Sequence, residues 1–144
     1  MNRELEIGRL SPQCLQAVWP DVVELLEERG EDLLQIYDLK ELFINVLSGA
    51  YDLWLVTAGT ELKLVGFCAW EAHSLKSYYH VLWVGGSGLE LLKAAVPKVE
   101  QYACMHGASE LLFGGRPGWD RVMKPMGFVQ KPRWGKSVET CWKH

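Results

Sequence analysis

The sequence lacks several features that would assign a function at sight. Its four cysteines, Cys14, Cys68, Cys104 and Cys141, stand far apart, with no Cys-x-x-Cys pair. That spacing excludes a zinc ribbon and a small disulfide scaffold, so reduced thiols in a cytoplasm are the expectation. No apolar run approaches the ~20 residues that cross a bilayer as a helix. The opening MNRELEIGRL alternates charged with apolar side chains, so no secretory leader is expected. Neither sign of charge dominates: 15 Lys and Arg stand against 18 Asp and Glu, a formal net charge of −3. A nucleic-acid binder held by electrostatics needs a basic face, so neither a nucleic acid nor a membrane is expected as partner. Internal repeats, low-complexity tracts and linkers are absent as well.

What is present suits a packed interior. Of 144 residues 49% are hydrophobic, seven of them Trp, which predicts a single domain over 1–144 with one core. "ELEIG" (4–8) reads as a first strand. Ser11-Pro12 is a helix-start pair, followed by Leu15, Val18, Val22, Leu25 and Leu26 at helical spacing up to Gly30. Pro20 is expected to kink or restart that helix. A second helix is predicted over 39–49, with Gly49 as its stop. The period then changes from 3.6 to 2 in "YDLWLVTA" (51–58), "LKLVGFCAWEA" (62–72) and "YYHVLWVG" (78–85). Gly59-Thr60 fits a tight hairpin turn. After "GGSG" (85–88) comes a long helix over 89–107, bent at Pro97. A strand follows over 110–114, then a short helix over 118–127, and strands over 128–132 and 137–143. The order β-α-α-β-β-β-α-β-α-β-β predicts an α/β fold, an α+β mixed sheet flanked by helices with one βαβ crossover at its centre.

That order, with its strand, Gly-rich turn, long helix, strand, short helix and "GF", resembles the GNAT superfamily of acyl-CoA-dependent N-acyltransferases. "LWLV", "VGGSG…LLK", "VEQYA…HGASELLFGGRPGW" and "MGF" look like small GNAT-like proteins encoded by tailed bacteriophages. The resemblance implies a central sheet that splays open after the fourth strand, Tyr78–Gly85. It implies that acetyl-CoA lies along Leu82, Trp83 and Val84, with its pyrophosphate on Gly85, Gly86, Ser87 and Gly88. Free amides and the dipole at a helix N-terminus make such a turn an anion site. Two departures stand out. The stretch "VGGSGLELL" carries no Arg, Gln or Lys and adds Glu90. Met123 occupies the position, four residues before the glycine of "GF", where the family often has a proton-donating tyrosine.

Each candidate has a structural alternative. "GGSG" is either a phosphate cradle or a tight turn into a helix. Glu71 and His80 are the groups available as general base near the splay, with His73 in the loop between their strands. Alternation places Glu71 on the face of Phe67 and Ala69, where burial would raise its pKa toward neutrality. The alternative puts Glu71 at a wet rim and His80 in hydrogen bonds within the sheet. In "GGRPGW", Arg116 fits a phosphate or an acidic partner and Trp119 fits an acyl pocket wall. Equally, Trp119 packs the short helix and the glycines make the corner. The acidic run over 21–41 suits a cleft for a cationic amine, or solvated helix faces. "KPRWGKSVETCWKH" is locally basic and reads as a solvated edge or, with Trp134 and Trp142 beside its cations, as a protein contact.

Two functions remain open. One is an N-acetyltransferase moving an acetyl group from acetyl-CoA to an amine-bearing small molecule or protein, acting in the cytoplasm. The other is a non-catalytic GNAT-fold phage protein serving virion assembly or binding a host protein, in the host cytoplasm or the virion.

Overall fold

The computed structural model describes residues 4–87, 89–114, 120–130 and 133–138, the side chains of Leu89 and Asp120 excepted. Among the described residues the strands form one mixed seven-stranded sheet in the order β1-β2-β3-β4-β5-β7-β6. The chain divides into two compact units, Met1–Cys68 with Trp83–Leu91, and Ala69–Leu82 with Leu92–His144. Strands β3 (Glu61–His73) and β4 (Lys76–Gly86) contribute to both.

In the first unit, β1 (Leu5–Arg9) pairs antiparallel with β2 (Asp52–Ala58), which pairs antiparallel with β3. Between β1 and β2 run α1 (Leu15–Arg29), α2 (Glu31–Leu34) and α3 (Leu39–Leu47). The Ser11-Pro12 start becomes a 3-10 turn over Pro12–Cys14, and α1 begins at Leu15. Pro20 lies inside α1, which continues to Arg29 without a break, against the expected restart. Leu15, Val22, Leu25 and Leu26 make its buried stripe and meet Leu42 and Val46 of α3 and Leu53, Val65 and Phe67 of the sheet. Asp38 caps α3 by accepting from the Glu41 amide at 2.7 Å, a start signal in "DLKE" that the sequence reading passed over.

In the second unit, β4 pairs in parallel with β5 (Glu110–Phe113), from Tyr78↔Glu110 to Val81↔Phe113. Helix α4 (Leu92–Met105) joins these strands and closes in a left-handed Gly107, with the Ala108 amide donating to the Ala103 carbonyl at 2.9 Å. After α5 (Asp120–Met123), β6 (Val129–Gln130) and β7 (Trp134–Ser137) form an antiparallel pair, and β7 pairs with β5. The last strand therefore starts at Trp134, three residues before the expected 137; positions 131, 132 and 139–144 lie outside the described residues. Trp134 is 2% exposed, so it is core and not a surface aromatic. Its register opposite Phe113 on a buried strand draws it inward.

The β3–β4 connection is also tighter than the sequence suggested. Instead of a loop over 73–77, Ser74 and Leu75 turn the chain alone, both with positive φ as a type I′ hairpin requires. His73 thereby becomes the last residue of β3.

Candidate functional site

The end of β4 and its glycine turn come first. Trp83 is 6% exposed and belongs to the core of the first unit, where its Nε1 donates to both carboxylate oxygens of Asp32 at 3.2 and 3.1 Å. Its ring lies back over Gly85: a Cβ there would sit 2.3 Å from the indole. Gly86 has φ +149, and a Cβ on it would lie 2.1 Å from the Lys63 carbonyl oxygen. The next amide, Ser87 N–H, donates to that same oxygen at 3.0 Å. Gly86 is therefore required by the close approach of β4 to β3 and Gly85 by the Trp83 ring, and one amide expected to face an anion is already bonded. Val84 is buried and Leu82 half-buried. Ser87 also borders a cavity of about 380 Å³ whose wall carries Asp21, Glu24, Glu28 and Glu61 against Arg29. Such a wall repels a diphosphate. The described residues of the turn thus fit that part of acetyl-CoA poorly, while Gly88, Arg116 and Trp119 lie outside the described residues.

The second region collects Glu71 and His73 from β3, His80 from β4 and Arg133 from just before β7. Strand alternation builds it: Tyr78 and His80 share one face of β4, and the buried Tyr79 and Val81 share the other. Arg133 Nη1 donates to both oxygens of Glu71 at 3.1 and 3.0 Å, and His73 Nε2 lies 3.1 Å from Oε1. His80 Nδ1 pairs with Oε2. A carboxylate only accepts, so His80 Nδ1 carries the hydrogen and Nε2 of the neutral ring holds a lone pair. That Nε2 is buried and has no hydrogen-bond partner among the described residues.

Burial pushes the Glu71 pKa up, but the hydrogen bonds from His73 and Arg133 and the nearby charges of His80 and Arg133 outweigh it. The net displacement is below the ordinary carboxylate value. The expected rise toward neutrality is therefore corrected: the sequence reading weighed burial and had no view of the three donors. Burial holds the His80 pKa below its ordinary value, with Arg133 adding to the lowering and Glu71 opposing it. His80 is therefore neutral near pH 7. Met123 is fully buried, in keeping with a packing role.

Beside this cluster lies a cavity of about 280 Å³, walled in part by His73, Tyr78, Glu110, Leu112, Arg133 and Gly135. Gly135 makes room for it, since a Cβ there would meet Glu110 Oε1 at 3.0 Å and Leu112 Cδ2 at 3.1 Å. Sequence reasoning missed Arg133 and Glu110. The first sat in a stretch read as a basic edge, and the second in one read only as a strand.

On the other face of the second unit, Trp70, Tyr79, Tyr102 and His106 form a run of aromatic contacts with centroids 4.8, 5.3 and 4.2 Å apart. This run is packing between β3, β4 and α4. Cys14 is a free thiol, whereas Cys104 on α4 is disulfide-bonded, which corrects the expectation of four reduced thiols. Spacing along the chain does not report proximity in space. Among the described residues no cluster suits a metal ion, and no helix is long and apolar enough to cross a membrane.

No protein-family model matches the chain, and no curated protein matches it in sequence. Solved structures do match in shape. A GNAT-family protein from Desulfovibrio desulfuricans superposes with TM-score 0.68 at 14% identity, covering 94% of this chain and 99% of that one. Its fold is the GNAT fold. Glucosamine-6-phosphate N-acetyltransferase from Arabidopsis thaliana gives TM-score 0.65 at 14% identity, covering 89% of this chain and 93% of the other. A GNAT-family acetyltransferase from Brucella melitensis, solved in complex with acetyl-CoA, gives 0.66 at 11% identity, covering 94% and 88%. On this GNAT fold, the order of strands and helices matches the architecture expected from the sequence, with α2 as a short addition.

Proposed function

We propose that the chain is a GNAT-fold N-acetyltransferase that moves an acetyl group from acetyl-CoA to a primary amine, with His80 as proton acceptor and Glu71 as its positioning residue. The observation that carries the reading is the buried, unpartnered Nε2 of His80 behind an anchored Nδ1. A buried polar atom without a partner costs about 1–3 kcal/mol, and a fold with no use for it would replace it with an apolar side chain. A proton-accepting role accounts for that cost.

In this mechanism Glu71, held by Arg133 and His73, fixes the tautomer of His80 and aims its lone pair. The acceptor nitrogen gives up a proton to Nε2 as its new bond to the acetyl carbonyl carbon forms. Acetyl-CoA supplies the thioester, whose carbon–sulfur bond breaks to release the CoA thiolate. No part of this sequence depends on the glycine turn. The structural neighbours support the direction: one is a glucosamine-6-phosphate N-acetyltransferase, and another was solved with acetyl-CoA.

The glycine turn favours a second reading. A turn without cations, with the Ser87 amide already bonded to Lys63, suits a GNAT-fold protein that has lost its donor, such as a phage protein binding a virion or host component. Calorimetric titration with acetyl-CoA and CoA separates the two. Under the first reading, acetyl-CoA binds in the micromolar range, and His80→Gln lowers kcat by about 100-fold or more while leaving donor affinity unchanged. Absence of binding at millimolar acetyl-CoA decides for the second.

A further inference from the structure

We propose that the cavity beside the Glu71 cluster binds a short diamine, with Glu110 holding one end as an ammonium ion. This rests on the acetyl-transfer reading and names its acceptor class. Glu71 is compensated by Arg133, whose Nη1 contacts both of its oxygens. Glu110 stands on the same cavity wall, half-buried, with no hydrogen bond or ion pair to any described residue. With Arg133 matched to Glu71, the charge of Glu110 is the uncompensated one on this wall, so the cavity favours a cation. Tyr78 lies opposite Glu110 in the β4–β5 register, Leu112 supplies an apolar wall, and Gly135 leaves the carboxylate uncovered.

A carboxylate partner keeps an ammonium charged, and a charged nitrogen has no lone pair with which to attack a thioester. The nitrogen on Glu110 is therefore not the one that reacts. The reacting nitrogen belongs near His80, so the acceptor carries both groups. Their separation follows from the parallel register: Glu110 pairs with Tyr78 and Leu112 with His80, a two-residue step. At ~3.3 Å per residue this is about 7 Å, within reach of a short alkyl chain lying along Leu112. A cavity of about 280 Å³ also sits at the small end of ligand sites, too tight for an oligosaccharide-sized acceptor.

The test uses the full chain without acetyl-CoA and titrates putrescine, a four-carbon diamine, against wild type, Glu110→Gln and Glu100→Gln. The last removes a carboxylate that pairs with Lys136 outside the cavity. Putrescine is expected to bind wild type and Glu100→Gln alike, and Glu110→Gln at least about ten-fold more weakly at an unchanged unfolding temperature. In turnover with acetyl-CoA, wild type should prefer putrescine to n-butylamine through KM, and Glu110→Gln should lose that preference. Equal putrescine affinity in Glu110→Gln, no putrescine binding, or binding of butyrate in place of the amines would overturn the proposal. Diamine binding through Glu110 without any turnover of acetyl-CoA would uphold the site and remove the acetyl-transfer reading. Turnover of both amines without discrimination, unchanged in Glu110→Gln, would do the reverse.

Discussion

At the end of β4 the fold uses the polar groups it has, whereas around Glu71 it leaves one over. The Ser87 amide closes onto the Lys63 carbonyl, the Trp83 indole donates to Asp32, and Gly86 is required where β4 approaches β3. In the other region, four polar side chains converge, and the His80 Nε2 remains without a partner among the described residues. In the glycine-rich segment, Gly85 and Gly86 answer to packing. A Glu and a His with no motif around them make the more chemical arrangement. Residue type alone is thus a weaker guide to function than whether the fold already accounts for each polar atom.

The comparison breaks most sharply at Gly86. Gly86→Ala places a Cβ against the Lys63 carbonyl at a φ that L-residues avoid, and should cost on the order of 3 kcal/mol in urea unfolding. A wild-type midpoint would mean that the turn is free to serve a ligand after all. For the same reason, a bulky residue at Gly86 cannot test cofactor binding, because it disturbs the fold first.

Glu71→Gln should have the next largest effect, about 1–3 kcal/mol of stability, since it removes the charge that Arg133 and both histidines share. It should also flatten the acid dependence below pH 4.5. Glu71 and His80 both have folded pKa values below their ordinary 4.5 and 6.5. Their contribution is present above those values and is lost as pH falls through the depressed folded ones. Thermal unfolding of wild type should therefore weaken below pH 6.5 and further below 4.5. Below pH 4.5 Glu71→Gln should weaken less, and an unchanged slope there would mean that Glu71 does not govern the acid response. The smallest effect is expected for Trp83→Phe, which keeps the ring but loses the hydrogen bonds to the exposed Asp32, at about 1 kcal/mol. A loss several times larger would make the indole hydrogen a structural requirement of β4.

Much of the fold was legible because its signals are local. The 3.6-residue stripe of Leu15, Val22, Leu25 and Leu26, the alternation in β2 to β4, and the glycines that end α3 and α4 are all written within a few residues of one another. Signals that depend on partners were misjudged. Pro20 was tolerated within α1, and Trp134 was buried by its register with β5. The ranges read as 73–77 and 137–143 shifted because a two-residue turn and a cross-strand pairing, not composition, set the strand ends.

The candidate site divides along the same line. Legible in the sequence were the element order, the mixed sheet, the absence of cations from the turn after β4, and the places of Glu71 near the end of the third strand and His80 in the fourth. Only the tertiary structure decided that Arg133, 62 residues from Glu71, would hold its carboxylate. It also decided that the Glu71 pKa would fall and that His80 would keep one nitrogen unpartnered. The reason is physical. Helix and strand preferences act between neighbours along the chain, while a titratable group takes its charge state from whatever long-range pairing places beside it.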